Sequence, residues 1–238
     1  MGLLRRCRTA WSRHHRSAGF GIHSPHAYRF VTEVLGERCR YYAYDDIAAL
    51  RRAVIAATDS RWPHPRILSE RNARLLFRIT NHFNPGCILQ VGTCTGVTSA
   101  VMLAVSSQSR LWLYEPGLAS GAAASRVLQP LAGRVCLGTE LAPIAAAYSQ
   151  ALDGAEPFVL VNHVNSDQDA DTLSGVLSAM CAGKAVLLMR HLATDKRVNV
   201  LWQACCRQLV NGQTFTNSRW GILIANPKLQ REHFDLWL

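Results

Sequence analysis

Short apolar runs alternate with longer segments of helical periodicity through the last two thirds of the chain. The runs have the length of buried strands and are too apolar to face water on one side, which predicts a parallel sheet covered by helices on both faces. Seven strands are expected, over Cys87–Val91, Leu111–Glu115, Arg134–Leu137, Phe158–Asn162, Ala185–Met189, Gln213–Asn217 and Trp220–Ala225.

The helical segments between these strands predict how the sheet is connected. Only Ser218 and Arg219 separate the last two strands. A link this short cannot make a parallel crossover, so that pair must be an antiparallel hairpin. The α/β protein is therefore expected to end in a hairpin, after helices near Val97–Ser107, Gly121–Leu131, Leu141–Leu152, Ala170–Cys181 and Lys196–Val210.

The first 83 residues lack strand-like runs. Ser24 and Pro25 are residue types that cap and open a helix, and Ser69 with Glu70 makes a second such start. We therefore expect a helical N-terminal extension over residues 1–83 and a Rossmann-like domain over residues 84–238. The helices expected in the extension cover His26–Cys39, Asp45 or Asp46 to about Thr58, and Ser69 to about Phe83, with a break at Arg61–Pro65.

Composition and charge narrow the class of protein. The chain has 238 residues, of which 49% are hydrophobic, and no apolar run approaches the roughly 20 residues that cross a bilayer. We expect no secretory signal, since no sustained apolar segment follows the first basic residues. Eight cysteines without a CxxC pair favour a reducing compartment, the cytoplasm.

Most of the excess positive charge lies in the first third. Residues 1–78 carry 15 arginines against six acidic residues, whereas the rest carries 11 basic and 10 acidic residues. A basic segment of this kind is typical of a solvated face, and also of surfaces that bind nucleic acid or an anionic membrane. The two interpretations stay open at this point.

A glycine turn follows the first strand, in the order Gly92-Thr93-Cys94-Thr95-Gly96. Glycines let a ligand approach the backbone at the carboxyl end of a strand. The threonines and the first amides of the next helix can donate hydrogen bonds to a ligand carboxylate. The second strand ends at Glu115, which can accept both ribose hydroxyls of a nucleoside. Turn and acid together indicate NAD or S-adenosylmethionine (SAM), and the terminal hairpin favours SAM.

The segment Gln90–Ser99 resembles the first motif of the O-methyltransferase group among class I SAM-dependent methyltransferases, the catechol and caffeoyl-CoA type. Gly21–Pro25, Arg219–Leu223 and Glu232–Phe234 resemble a bacterial branch common in Bacteroidetes. The resemblance implies a methyltransferase fold and a SAM site that includes Gly92, Thr93, Gly96 and Glu115.

Four positions that are acidic in that group are neutral or basic here. Gln90 precedes the turn, Thr139 stands at the adenine position after strand three, Asn162 ends strand four, and Arg190-His191 follows strand five. Hard cations need carboxylates, so we expect no metal ion. The run Asp167-x-Asp169-x-Asp171 is expected to open a helix, where acids favour the positive end of the dipole.

The expected cofactor site therefore comprises Gly92, Thr93, Cys94, Thr95, Gly96, Glu115 and Thr139. His163 and His191 follow strands four and five, where a neutral imidazole can take a proton from an acceptor, and Asn162 can orient that acceptor. These residues predict metal-independent methyl transfer to oxygen or nitrogen of a small molecule. Two alternatives stay open: a degenerate methyltransferase fold that serves as a binding or scaffold module, and an RNA-binding or anionic-surface protein.

Overall fold

An eight-stranded mixed sheet forms the centre of the chain, in the order β3-β2-β1-β4-β5-β7-β6-β8. The computed structural model describes residues 13–57, 67–93, 95–217 and 219–237. The strands are β1 Cys87–Val91, β2 Arg110–Tyr114, β3 Val135–Gly138, β4 Phe158–Val161, β5 Ala185–Arg190, β6 Gly212–Thr216, β7 Trp220–Ala225 and β8 Glu232–Asp235.

The strand order creates a crevice between β1 and β4. From β1 the chain passes outward to β2 and β3, and then returns to β4 on the other side of β1; all of these neighbours are parallel. Such a reversal leaves the carboxyl ends of the two strands open to a ligand. β7 is antiparallel to both β5 and β6, which confirms the expected terminal hairpin.

The expected count of seven strands is wrong, because β8 adds an eighth. This strand pairs in parallel with β6, and Phe234 lies beside Phe215 with the rings stacked at 5.2 Å. Phe234 is the one apolar residue among its four, so no continuous apolar run marks this edge strand. The other strand boundaries differ from the expected ones by one residue at most.

Helices cover both faces of the sheet. The caps expected at Ser24 and Ser69 are formed, since each hydroxyl accepts a hydrogen bond from a backbone N–H three residues on. The helices are α1 Pro25–Arg29, α2 Ala43–Ala57, α3 Glu70–Phe83, α4 Val97–Leu103, α5 Leu118–Leu128, α6 Leu141–Ala151, α7 Asp167–Cys181 and α8 Lys196–Gln208, with a π-helix over Phe30–Leu35 and a 3-10 helix over Gln129–Arg134.

Several helix bounds differ from the expected ones. α2 begins at Ala43, so Asp45 and Asp46 lie in its first turn and do not cap it. α5 spans Leu118–Leu128 in place of Gly121–Leu131, and α7 begins at Asp167 in place of Ala170.

The segment after Ser24 does not stay α-helical to Cys39: it becomes a π-helix at Phe30 and stops at Gly36, whose N–H donates to the carbonyl of Val31. α4 is also shorter than expected, since it ends at Leu103. Thr58 and the break at Arg61–Pro65 lie outside the described residues.

Two hydrophobic clusters, one on each face of the sheet, make the core. Alternate residues of β1 enter different clusters, Ile88 with the N-terminal helices and Leu89 with α6, α7 and α8. The extension packs directly on the sheet, because the rings of Phe30 and Phe215 lie 4.9 Å apart. Among the described residues, no helix is both long and apolar enough to cross a membrane.

Candidate functional site

The carboxyl ends of five neighbouring strands, β3, β2, β1, β4 and β5, bring the expected site residues to one edge of the sheet. The hydrogen-bond ladder continues one residue beyond the strands: Gly92 N–H donates to the Tyr114 carbonyl (2.8 Å), and Asn162 N–H donates to the Val91 carbonyl (2.9 Å). Glu115 N–H likewise donates to the carbonyl at the end of β3 (3.0 Å). The backbones of Gly92, Glu115 and Asn162 are therefore held by neighbouring strands.

The turn after β1 needs its glycines. Gly92 and Gly96 have φ angles of +74° and +81°, a region that costs other L-residues about 1–2 kcal/mol. A Cβ on Gly96 would lie 3.1 Å from Cα of Ala124, so this glycine also lets α5 pack against the turn.

Gln90, near the end of β1, stabilises the glycine turn through hydrogen bonds. Its Nε2 donates to the Gly92 carbonyl (2.9 Å), and its Oε1 accepts a hydrogen bond from the Ser99 hydroxyl (2.8 Å). The Ser99 hydroxyl lies 3.0 Å from Oγ1 of Thr93, which accepts from Gly96 N–H at 3.1 Å. A carboxylate could not donate a hydrogen bond to the Gly92 carbonyl, whereas the Gln90 amide does. Glutamine therefore suits this position, where the resemblance to O-methyltransferases predicts an acid.

Glu115 connects β2 to the glycine turn. Its carboxylate is buried, and Oε2 accepts a hydrogen bond from Thr93 N–H at 2.8 Å. Oε1 accepts from the Ser120 hydroxyl (2.8 Å) and from Gly117 N–H (3.3 Å). The two ribose hydroxyls of a nucleoside would compete with these donors, of which the Ser120 hydroxyl is the most readily turned away.

His163 lies over the glycine turn. A Cβ on Gly92 would come within 2.8 Å of its Nε2 and closer still to Cε1 and Nδ1. The same Nε2 stands 3.9 Å from Oε2 of Glu115. The imidazole therefore occupies the space between turn and acid, at the point where a bound nucleoside would approach the backbone.

Asn162 and Arg190 form a polar link between the ends of β4 and β5. Asn162 Nδ2 donates to the Gly92 carbonyl (2.5 Å), and its Oδ1 accepts from Arg190 Nη1 (2.8 Å). The Arg190 guanidinium also lies 5.1 Å from the ring centre of Trp220, as in cation–π contacts. Both side chains are buried. A buried positive charge thus stands beside Asn162 at the ends of β4 and β5.

The remaining expected site residues lie around this cluster. Thr95 is buried, and its N–H donates to the Thr93 carbonyl (2.7 Å). Thr139 is exposed after β3, and His191 is half-buried after β5 with φ at +65°. Cys94 lies outside the described residues.

The acidic run opens α7, as expected. Ser166 caps this helix, and Asp169 accepts a hydrogen bond from the Tyr114 hydroxyl (2.8 Å). Burial, and then this carboxylate, raise the pKa of Tyr114. Asp167 pairs with Arg197 at 2.6 Å. The described ranges contain no group of three or more His, Cys, Asp or Glu residues placed to hold a metal ion.

Sequence reasoning missed three side chains of the site. Ser99 and Ser120 orient Gln90 and Glu115, and Trp220 packs against Arg190. Ser99 and Ser120 lie in the first turn of α4 and α5, shortly after Gly96 and Gly117. This position is the only local signal for their role. Trp220 is distant in sequence from Arg190, and only the antiparallel pairing of β5 with β7 brings the two together.

The described residues fit an adenosine-containing cofactor. Two glycines at left-handed positions leave the backbone open beside Glu115, a buried carboxylate at the tip of β2. The one obstacle is His163, whose ring must turn away from Gly92 to admit the cofactor. Gly92 and Gly96 would line the cofactor, and Glu115 would accept its ribose hydroxyls.

The chain is similar to solved methyltransferase structures. The O-methyltransferase TomG from Streptomyces achromogenes, in complex with SAM, has 14% identity and a TM-score of 0.54, and the match covers 91% of this chain and 98% of that one. This chain has the fold of class I methyltransferases. SAH-bound methyltransferase PaMTH1 from Podospora anserina gives 12% identity and a TM-score of 0.51, over 86% of this chain and 97% of that one.

An O-methyltransferase from Bacillus cereus in complex with SAH gives 15% identity and a TM-score of 0.50, over 83% of this chain and 96% of that one. No protein-family model matches the sequence, and no curated protein matches it. The expected class I fold is confirmed, whereas the bacterial branch stays a prediction.

Proposed function

We propose that the protein is a SAM-dependent methyltransferase that acts on a small molecule without a metal ion. The observation that carries this proposal is the hydrogen bond from Thr93 N–H to Glu115, which joins the glycine turn and the acid into one adenosine-binding unit. When bound, SAM supplies an electrophilic methyl group. The chain binds the cofactor, orients the methyl acceptor and supplies the group that takes its proton.

His163 is the residue we assign as general base. It follows β4 beside the turn, and its side chain is 16% exposed, so that it borders both the buried carboxylate and the outer part of the crevice. A neutral imidazole there can accept the proton of an oxygen or nitrogen nucleophile. His191, after β5, is the second candidate for this role, and Asn162 would orient the acceptor through its fixed amide.

Metal independence follows from the chemistry at the ends of β4 and β5. Asn162 offers a single amide oxygen, which already accepts from the Arg190 guanidinium. A hard divalent cation prefers several oxygen ligands with negative charge, and an arginine beside it would repel it. We therefore expect magnesium to leave cofactor affinity unchanged.

Calorimetric titration with SAM and with S-adenosylhomocysteine tests the proposal directly. We expect micromolar binding that is equal with magnesium and with a chelator, and a loss of about tenfold or more in Glu115→Ala. The matched control is Glu156→Ala, which removes an exposed carboxylate that pairs with Lys184. Equal affinity in Glu115→Ala and Glu156→Ala would contradict the proposed site.

A second candidate is a binding or scaffold module on a degenerate methyltransferase fold. It is favoured by the position of His163 over Gly92 and by the Ser120 hydroxyl and Gly117 N–H, which already bind Oε1 of the Glu115 carboxylate. Absence of binding of both nucleosides at millimolar concentration, by a protein with a cooperative unfolding transition, would select this candidate.

A further inference from the structure

A cavity of about 690 Å³ opens between the N-terminal segment, here residues 13–18, the π-helix, α3 and the residues that follow β8. β8 is parallel to β6 and β6 is antiparallel to β7, so β8 ends at the same edge of the sheet as β5. Leu236 and Trp237 therefore line the cavity at the carboxyl edge. In the strand order, however, the cavity lies at the β8 end, away from the glycine turn of β1.

The cavity wall is strongly basic. Arg38, Arg71, Arg74 and Arg78 line it together with His14, and Glu70 is the one acidic residue among the described residues of its wall. Glu70 forms an ion pair with Arg74, one helical turn away on α3. Within the described part of the chain, Arg38 and Arg71 form no ion pair. A concave surface with one sign of charge focuses its potential on an anion.

Arg78 is a donor that the fold holds in place. Its Nε donates to the Val34 carbonyl and its Nη2 to the Leu35 carbonyl, both at 2.8 Å, so that the side chain caps the π-helix. A guanidinium carries five N–H donors, and these two bonds use two of them. The remaining N–H donors of this half-buried guanidinium are free of these two bonds but share its fixed position. Because the side chain is already ordered, binding a ligand through it costs less conformational entropy.

One part of the cavity wall is apolar. Val31, Leu75 and Leu236 are buried, and the Trp237 side chain stands at the rim with 53% of its surface exposed. The backbone N–H of Trp237 donates to the Ser17 hydroxyl (2.7 Å), which anchors this residue to the N-terminal segment. The wall therefore combines cationic groups with an indole ring, and it suits an anion that carries an apolar body.

We propose that this cavity binds an organic phosphate, a small molecule with a phosphoryl group on a planar or aliphatic body. Arginines present forked donors that match phosphate oxygens, and a phosphate dianion can accept from several guanidinium groups at once. A monoanionic carboxylate has fewer acceptor sites and less charge to satisfy Arg38, Arg71 and Arg78, the three wall arginines other than Arg74, which pairs with Glu70. The site is separate from the proposed cofactor site and does not depend on it.

Phenyl phosphate, inorganic phosphate and benzoate are suitable probes. Comparing them distinguishes the contribution of the phosphoryl group from that of the ring, and none of them contains adenine. Calorimetry with the full chain, in saturating S-adenosylhomocysteine, should give phenyl phosphate an affinity at least about tenfold above that of benzoate. Arg71→Gln should weaken both phosphates about tenfold. Its matched control is Arg52→Gln, which removes an exposed arginine of α2 that does not line the cavity.

A second variant tests the apolar wall. Trp237→Leu should weaken phenyl phosphate severalfold and leave inorganic phosphate unchanged, since only the ring contact is lost. The proposal is overturned if wild type binds none of the probes, if Arg71→Gln and Arg52→Gln behave alike, or if benzoate binds as tightly as phenyl phosphate. Tighter binding of a single-stranded RNA oligomer that Arg71→Gln weakens, without binding of phenyl phosphate, would instead assign the face to nucleic acid.

Discussion

The imidazole of His163 lies directly against Gly92, so that a side-chain carbon on the glycine would overlap the ring. The two residues come from the ends of β4 and β1, which are neighbouring strands of the sheet. This contact places a titratable side chain over the backbone turn that a nucleoside would approach. Binding of a cofactor at the turn therefore requires the ring to move.

Gly92→Ala should damage both the fold and the site. The left-handed φ and the overlap with His163 each oppose a Cβ, and we expect a loss of about 1–3 kcal/mol in the free energy of unfolding. SAM binding should fall below detection. Urea unfolding and calorimetry measure the two effects. Gly183→Ala is the control, because a Cβ there meets no atom within 4 Å; equal behaviour of both variants would disprove the prediction.

His163→Ala should strengthen cofactor binding severalfold, because the ring no longer has to leave the space above Gly92. The same variant should transfer methyl groups more slowly, since the proposed base is gone. Titration with S-adenosylhomocysteine measures the first effect. His23→Ala removes an exposed imidazole elsewhere and should leave the affinity unchanged. Weaker binding in His163→Ala would mean that the ring contacts the cofactor instead of obstructing it.

Gln90→Glu restores the acid found in the O-methyltransferase group, and it should destabilise this chain. The glutamine donates to the Gly92 carbonyl, whereas an ionised carboxylate would face that carbonyl as a second acceptor in a buried site. We expect a loss of about 2–3 kcal/mol in chemical unfolding at neutral pH. Gln108→Glu, on the surface, should cost little. A Gln90→Glu variant as stable as Gln108→Glu would show that the turn tolerates the acid.

The vicinal cysteines should resist alkylation in the folded protein. Burial raises the pKa of Cys206 to about 12, and the hydrogen bond that the Cys205 thiol donates to Cys181, together with burial, raises the pKa of Cys205. Thiolates are the reactive form, so both residues should react with iodoacetamide at pH 8 much more slowly than exposed Cys136. Peptide mass spectrometry measures the extent of alkylation at each cysteine. In urea, where the chain is unfolded, the three cysteines should be alkylated at similar rates. Fast labelling of Cys205 in the native protein would contradict the packing of α8.

Much of the sheet could be predicted from the sequence, because buried parallel strands are continuous apolar runs. β1 and β7 have their expected bounds, and the hairpin followed from the short link before Trp220. β8 was not predictable in this way, since a short edge strand needs no apolar run and its pairing with β6 is a long-range contact.

The turn and the acid of the site were also local signals. Gly92 and Gly96 have left-handed φ values that favour glycine, and Glu115 directly follows β2 at the expected distance along the chain. The sequence did not show how the Glu115 carboxylate is used, because its donors Thr93 and Ser120 are brought to it by the turn and by α5.

The sequence by itself determined the succession of strands and helices, the position of the glycine turn and the end of β2, since each depends on local periodicity or on the conformation of single residues. Only the tertiary structure decided that His163 covers Gly92, that Arg190 binds Asn162 across the ends of β4 and β5, and that arginines of α3 meet Trp237 around one cavity. These contacts join residues far apart in the chain, and strand order and helix packing, which no local pattern encodes, bring them together.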